Sequence, residues 1–310
     1  MRASAPPSPP PQPPTPYAPG SIAAAKASLA PTRAPSEWLA PPQQHAEREV
    51  LAVCVGTDAV RLSNGVFLRD VCERKAAASL READGSDLPV DRPAVFTGVT
   101  AKWTHGAAAW TAAALVARST PGDRWGVDGG PPFACESLAS ASVSMAAYSE
   151  YVAGDAAADI SPLYIFDDKF GTRRDASDAL FIDTMPLPAA FMADAPLAAT
   201  DRPLPLRWLL VGAARSGTPV HNHPATVAIL VLMVGVKLWV ALPPDVPLVD
   251  EGLSAGEWIA AHGGQSGAVV IVQREGETVF LPKGWYHCVL NVEPTTALSV
   301  SLYLKRDRDC

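Results

Sequence analysis

The sequence predicts a mostly β protein, in which strands form the C-terminal part and helices flank them in the N-terminal half. From residue 205 onward, apolar runs of strand length alternate with short polar segments. Helical spacing is concentrated before residue 200. The chain has 310 residues, of which 48% are hydrophobic, and this is ample for one large β domain with helical additions.

Residues 1–43 are rich in Pro and Ala and contain no acidic residue before Glu37. Such a composition buries too little apolar surface to offset the entropy lost on ordering, so we predict a disordered tail. A Pro-rich docking ligand and an organelle-targeting leader, which is also poor in acidic residues, are the alternatives.

Residues 44–200 are predicted to be a mixed α/β part that packs on the strand-rich core. The segments 93–97 and 162–166 have the composition of strands. An Ala-rich segment at 107–117 predicts a helix, and a second helix is predicted over 144–152, with Gly154 as its stop.

The core is predicted to span residues 201–306. Four apolar segments read as buried strands: 207–212, 227–234, 279–282 and 297–304. The apolar run 226–242 is too short and too interrupted to cross a membrane, and we interpret it as two buried strands. One helix is predicted where Ser254 and Glu257 form a capping-box pattern. The architecture that fits is an antiparallel double-stranded β-helix (jelly roll, cupin-like) with flanking helices.

Three of the six histidines fall in two polar stretches between these strands. His221 and His223 are separated by one residue, so on an extended segment their rings point to the same side. His287 lies in the second stretch, and it meets the other two if the sheet folds back on itself. The three together predict a metal site inside a barrel.

Charge and cysteine content exclude several classes of function. The formal net charge is −7 and no run of Lys and Arg exceeds two residues, so there is no strong signal for nucleic acid or for an acidic membrane surface. The five cysteines are scattered without a CxxC pair, which argues against a disulfide framework and favours a reducing compartment. We therefore expect a location in the nucleus or cytoplasm.

Four segments resemble the Jumonji-C (JmjC) family in order and spacing: 161–167, 207–221, 235–244 and 276–291. The likeness is greatest to the branch typified by the bifunctional arginine demethylase and lysyl-hydroxylase. The resemblance implies an Fe(II)- and 2-oxoglutarate-dependent dioxygenase that hydroxylates or demethylates Lys or Arg side chains of a protein. It implies no catalytic side chain beyond the metal ligands.

The resemblance places the metal ligands at His221, His223 and His287. The family carries Asp where this chain has His223, so the usual set of two His and one carboxylate is not retained. Three interpretations follow: His223 ligates the metal, or its longer side chain swings away, or it is a structural histidine in a domain without catalysis. Asn291, which closes the following strand, is interpreted as a turn-holding residue.

The resemblance also implies a 2-oxoglutarate pocket. Lys237 stands where the family's carboxylate-binding Lys stands, with Thr218, Ser299 and Tyr164 at the family's hydroxyl positions. The alternatives are an edge-strand lysine that reaches solvent, a solvent-facing Ser299, and a Tyr164 that only packs in the core. A family Asn has no counterpart, and Leu230 or Val231 occupies its place.

Two further functions compete with the oxygenase. The first is a catalytically inactive JmjC-like module that recruits partners, and the second is a three-His cupin-type metalloprotein that does not use 2-oxoglutarate. The predicted partner of the oxygenase is a protein or peptide, and the acidic charge of this chain suits a basic one.

Overall fold

The structure, a computed structural model, describes residues 21–29, 52–80, 88–89, 91–103, 105–120, 122–128, 141–159, 162–168, 187–192 and 206–302. The α-helices in these ranges are α1 Ile22–Leu29, α2 Ala112–Arg118, α3 Met145–Ala153 and α4 Ala255–His262. The strands are β1 Ala52–Cys54, β2 Ala59–Leu62, β3 Phe67–Arg69, β4 Arg74–Ala76, β5 Ala94–Thr97, β6 Trp125–Asp128, β7 Ala141–Val143, β8 Tyr164–Asp167, β9 Leu206–Gly212, β10 Gly217–His221, β11 Val227–Val234, β12 Val236–Leu242, β13 Val269–Arg274, β14 Thr278–Leu281, β15 Tyr286–Asn291 and β16 Thr295–Leu302.

Two sheets form the core of the molecule. The larger has nine strands in the order β4-β5-β14-β11-β16-β9-β8-β6-β7, and the smaller has four in the order β10-β15-β12-β13. All their pairings are antiparallel except β4 with β5. From β9 to β16 the chain passes back and forth between the two sheets, except that β12 and β13 are neighbours in the four-stranded sheet, and this confirms the predicted jelly-roll class.

The inner faces of the two sheets share one apolar core. Trp239 and Ala241 of β12 pack there with Leu230 of β11, Ala297 of β16 and Leu210 of β9. Because side chains alternate along a strand, residues two apart from these also face inward. Alternation therefore assigns the regular positions of these strands to the barrel interior or to its outside.

The outer faces are covered on both sides. Helices α1, α2 and α3 pack on the nine-stranded sheet, and their buried residues include Ala25, Leu115 and Tyr148. Helix α4 and the three-stranded sheet β1-β2-β3 cover the four-stranded sheet. With both faces covered, strands β11 and β12 are apolar on either side, which explains their nearly continuous hydrophobic sequence.

Helix boundaries follow local capping chemistry. Ser254 caps α4, and its side chain and that of Glu257 form the predicted capping box. Ser144 caps α3 by accepting from the Ala147 N–H at 3.2 Å. The segment predicted as one helix over 107–117 is a 3₁₀ turn, Ala107–Trp110, followed by α2, which Thr111 caps.

Helix α1 lies inside the segment predicted to be disordered, so that prediction is wrong for residues 22–29. Lys26 is buried and its Nζ lies 2.6 Å from Oδ2 of Asp159, which is also buried. A buried ion pair and the packing of Ala25 hold this short helix, although its sequence has little amphipathic pattern. The rest of 1–43 lies outside the described residues, and the predicted boundaries at 43 and 200 stay predictions.

No helix in the described ranges is long and apolar enough to cross a membrane.

Candidate metal centre and adjoining polar pocket

Strand pairing in the four-stranded sheet brings the histidines together. β10 and β15 are antiparallel neighbours, and His221 lies directly opposite His287. A register shift in β10 between Thr218 and His221 lets both residues face the barrel interior although they are three positions apart. His223 follows the end of β10, and its carbonyl accepts from the Gly284 N–H at 2.9 Å.

The three rings converge closely enough to share one ion. Their ligating nitrogens all lie within 4.8 Å of one another, and the ring centroids of His221 and His287 are 4.1 Å apart. Nδ1 of His221 lies 2.8 Å from the Pro219 carbonyl and Nδ1 of His287 lies 3.2 Å from the Trp285 carbonyl. Since a carbonyl only accepts, each Nδ1 carries the proton and each Nε2 presents a lone pair.

The environment keeps these imidazoles neutral. Burial lowers the pKa of His221, and burial together with the neighbouring rings lowers the pKa of His287 well below its ordinary value. Burial, and then the charge of His221, lowers the pKa of His223 to about 3. Neutral imidazole is the form that binds a metal ion, so the cluster is a ready donor set at physiological pH.

The donor set is three nitrogens without a carboxylate. Among the described residues, this is the one group of three or more His, Cys, Asp or Glu side chains that is placed to hold an ion. Three imidazoles suit Fe, Zn and Cu, and leave positions open for other ligands. A divalent ion held here keeps its full double charge, whereas a carboxylate ligand would reduce it by one.

Lys237 lies on β12 and faces the barrel interior, two positions before Trp239. It is completely buried, and β12 is a central strand between β15 and β13, so the alternative of an edge-strand lysine reaching solvent is wrong. Its Nζ donates to Tyr164 Oη at 2.8 Å and to Asn291 Oδ1 at 2.5 Å. Burial lowers the pKa of Lys237 to about 7. No carboxylate in the described part of the chain pairs with it.

The remaining predicted pocket residues all face the barrel interior. Tyr164 is buried beside Lys237, and burial raises the pKa of its hydroxyl. Thr218 lies opposite the inward-facing Val289 and is half-buried. Ser299 lies between Leu230 and Trp208 and is also half-buried, which removes the alternative of a solvent-facing strand surface. Within the described residues neither Thr218 nor Ser299 hydrogen-bonds to Lys237.

Sequence reasoning placed Tyr164 near Lys237 but missed the other hydrogen-bond partner of the lysine, Asn291. Asn291, interpreted above as a turn residue, is buried against the ammonium group, and Ser216 and Thr295 surround its amide. The strand register explains the contact: His287 pairs with Ala241, so Asn291, four places after His287, pairs with Lys237, four places before Ala241. That pairing is not visible in the sequence.

Fold and site together define a double-stranded β-helix protein in which three histidines are placed to hold a metal ion and a lysine is buried in the same barrel. No family model matches the sequence. The chain is 30% identical over 257 residues to lysine-specific demethylase JMJ21 of Arabidopsis thaliana, which covers 76% of this chain and 26% of that protein. It is 30% identical over 253 residues to the bifunctional arginine demethylase and lysyl-hydroxylase psr-1 of Caenorhabditis elegans, which covers 71% and 60% respectively.

A third similarity is to arginine-specific demethylase JMJ22 of Arabidopsis thaliana, with 30% identity over 163 residues, covering 47% of this chain and 32% of that protein. With the fold and the position of the histidines, these relatives show that the chain belongs to the Jumonji-C family. The chain spans about a quarter of JMJ21 and about three fifths of psr-1.

Proposed function

We propose that this chain is an Fe(II)- and 2-oxoglutarate-dependent oxygenase that hydroxylates or demethylates Lys or Arg side chains of a protein. The observation that carries the proposal is the presence, inside one barrel, of a three-nitrogen metal cluster and of a buried ammonium group without a carboxylate partner. The names of the relatives supply the class of substrate: lysine and arginine demethylases and a lysyl-hydroxylase.

The residues of this chain supply binding and orientation. His221, His223 and His287 would hold the ion, and the carbonyls of Pro219 and Trp285 keep two of the rings turned with Nε2 towards it. Trp239 lies against His287, with ring centroids 5.9 Å apart and planes 24° apart, and shields that ring from water. An Fe(II) ion held by His221, His223 and His287 would supply the activation of O₂ that couples oxidation of 2-oxoglutarate to succinate and CO₂ with the transfer of one oxygen atom to the substrate.

Lys237 would bind the distal carboxylate of 2-oxoglutarate, with hydroxyl groups of Thr218, Ser299 and Tyr164 lining the same interior. A buried ammonium without a counter-charge is costly in the free protein, so an anionic ligand that neutralises it binds with a large electrostatic gain. The acidic net charge of the chain favours a basic protein or peptide as substrate, and we propose a nuclear or cytoplasmic location for it.

The test is an anaerobic Fe(II) titration of the purified protein in the presence of 2-oxoglutarate, followed by the visible charge-transfer band of the chelated cosubstrate. We expect a band that saturates at one iron per chain and is absent in Lys237→Ala, while Lys283→Ala, at an exposed position, retains it. Absence of the band in the unaltered protein would contradict the proposal. Metal binding without the band would favour a three-His metalloprotein that does not use 2-oxoglutarate.

His223 favours one second candidate, a catalytically inactive module that recruits partners, because the family carboxylate is missing from the cluster. His223→Asp separates the two. We expect this variant to raise turnover of 2-oxoglutarate to succinate if the pocket is otherwise competent. No gain, with the metal bound at one equivalent, would support the interaction module.

A further inference from the structure

The side-chain amide of Asn291 forms a hydrogen bond with Lys237 that metal binding does not require. The two residues lie directly opposite each other on β15 and β12, and both are almost completely buried. Asn291 Oδ1 accepts from the lysine Nζ at 2.5 Å. A residue that only closes a strand end would have no need for this contact.

The orientation of the amide is set by its other neighbours. The Ser216 hydroxyl donates its hydrogen to the Ala213 carbonyl at 2.7 Å, so towards Asn291 it can only accept. Nδ2 of Asn291 therefore faces Ser216, at 2.8 Å, and Oδ1 faces the ammonium group. The Thr295 hydroxyl also donates to Oδ1, at 3.0 Å. A flipped amide would lose all of these bonds at once.

The turn that carries Ser216 is itself held in place. The Arg215 N–H donates to the Asn291 carbonyl and the Asn291 N–H donates to the Ser216 carbonyl, each at 2.8 Å. Arg215 has a φ of 72°, a left-handed conformation that costs energy for a non-glycine residue. Its Nη2 donates to the carbonyl oxygens of Ala156 at 2.6 Å and Asp159 at 3.0 Å, and these bonds help to maintain the turn.

Close packing leaves the amide no second position. A Cβ atom added at Gly212 would lie 2.0 Å from Asn291 Nδ2 and 2.8 Å from Ser216 Oγ. Only a glycine at this position lets the strand β9 pass the amide so closely. The geometry therefore presents one carbonyl oxygen to Lys237 in one fixed direction.

We propose that Asn291, oriented by Ser216, is a positioning residue that aims Lys237 at an anionic ligand while leaving its charge uncompensated. An ammonium group has three hydrogens, and Asn291 and Tyr164 accept two of them. The third hydrogen of the ammonium group remains available to the carboxylate of a ligand. A neutral acceptor is required here, because a carboxylate at position 291 would neutralise Lys237 and repel the ligand. The inference rests on the proposed function in taking that ligand to be the carboxylate of 2-oxoglutarate.

The test compares Asn291→Asp, which has nearly the same shape, with Ser216→Ala, which removes the anchor without adding charge. Metal affinity and 2-oxoglutarate affinity are measured separately by calorimetry on the full chain. We expect Asn291→Asp to retain metal binding and to weaken 2-oxoglutarate binding about 10-fold to 100-fold, the range for losing a charge-assisted hydrogen bond. Ser216→Ala should weaken it about threefold or more in the same direction. Asn64→Asp, at an exposed position, is the matched control for the added charge and should have no effect.

A second readout does not depend on the ligand. In protein labelled with ¹³C-lysine, the Lys237 Cε resonance, assigned with Lys237→Met, reports the pKa of this lysine by NMR. We expect the pKa of Lys237 to rise in ligand-free Asn291→Asp, because the new carboxylate favours the charged form. If the unaltered protein binds no 2-oxoglutarate, the proposed function fails while this titration still tests the contact.

An unchanged Lys237 pKa in Asn291→Asp would overturn the inference. If the unaltered protein binds 2-oxoglutarate and either variant binds it equally tightly, the inference is overturned as well. If Asn291→Asp does not fold, Ser216→Ala decides alone, and a normal affinity for 2-oxoglutarate in that variant counts against the proposal.

Discussion

Replacing Lys237 with Met should have opposite effects on stability and on ligand binding. Met has an unbranched side chain that fills the same interior space without a charge. Burial lowers the pKa of Lys237 from 10.5 to about 7. At about 1.4 kcal/mol for each tenfold change in the proton equilibrium, keeping the ammonium form buried costs about 5 kcal/mol relative to the unfolded chain.

The gain from removing this charge is reduced by lost hydrogen bonds. The Met variant leaves Tyr164 Oη and Asn291 Oδ1 without the lysine, although Asn291 keeps the Thr295 hydroxyl. These losses cost about 1–3 kcal/mol together. We therefore expect the free energy of unfolding of the ligand-free protein to rise by about 2–4 kcal/mol at pH 6, while 2-oxoglutarate binding is lost.

The pH dependence identifies the cause. Because the folded-state pKa of Lys237 is lowered, the unfolded chain binds more protons between pH 7 and 10.5, and the unaltered protein becomes more stable as pH rises through that window. The advantage of Lys237→Met is therefore largest below pH 7 and shrinks towards pH 10.5.

The assay is urea unfolding at pH 6 and pH 9, followed by tryptophan fluorescence. Lys102→Met, which removes an exposed lysine, is the control, and its effect should stay within about 0.5 kcal/mol at both values. A Lys237→Met protein that is less stable at pH 6, or whose gain is equal at pH 6 and pH 9, would refute the reasoning.

Three further outcomes are expected. The affinity of the metal-loaded protein for 2-oxoglutarate should fall about tenfold for each pH unit above about 7, since only the ammonium form of Lys237 binds the carboxylate. Calorimetry across pH 7–9 measures this affinity, and an affinity that does not change with pH would contradict the prediction. Gly212→Ala should displace Asn291 and weaken 2-oxoglutarate binding while the metal still binds; equal affinity in parallel titrations would count against the close approach. Lys26→Met should lower the free energy of unfolding by about 3 kcal/mol, because Asp159 stays buried without its cation. Thermal and urea unfolding measure the loss, and an unchanged free energy of unfolding would contradict the prediction.

Local patterns predicted the individual elements well. The Ser254 and Glu257 capping box begins α4 as expected, since a cap depends on residues within one turn. The strands over 206–212 and 227–234 follow from continuous apolar runs, because both of their faces are buried. The confirmed fold class follows from the number and spacing of such strands.

Long-range packing decided the places where prediction failed. Helix α1 has too weak a pattern to be recognised, and it is held by the ion pair of Lys26 with Asp159, 133 positions away. The break between the 3₁₀ turn at 107–110 and α2 falls at Thr111, which caps α2, next to Trp110, which is buried in the core. A single sequence does not indicate which residues will form such long-range contacts.

The sequence alone establishes which side chains are available for chemistry: three histidines, a lysine inside an apolar run, and hydroxyl groups between strands. Tertiary structure decides which of them meet. The register of β10, β12 and β15 places His221 opposite His287 and Lys237 opposite Asn291. Since a shift of one residue would turn every one of these side chains to the other face of the sheet, strand pairing and not local propensity creates the candidate site.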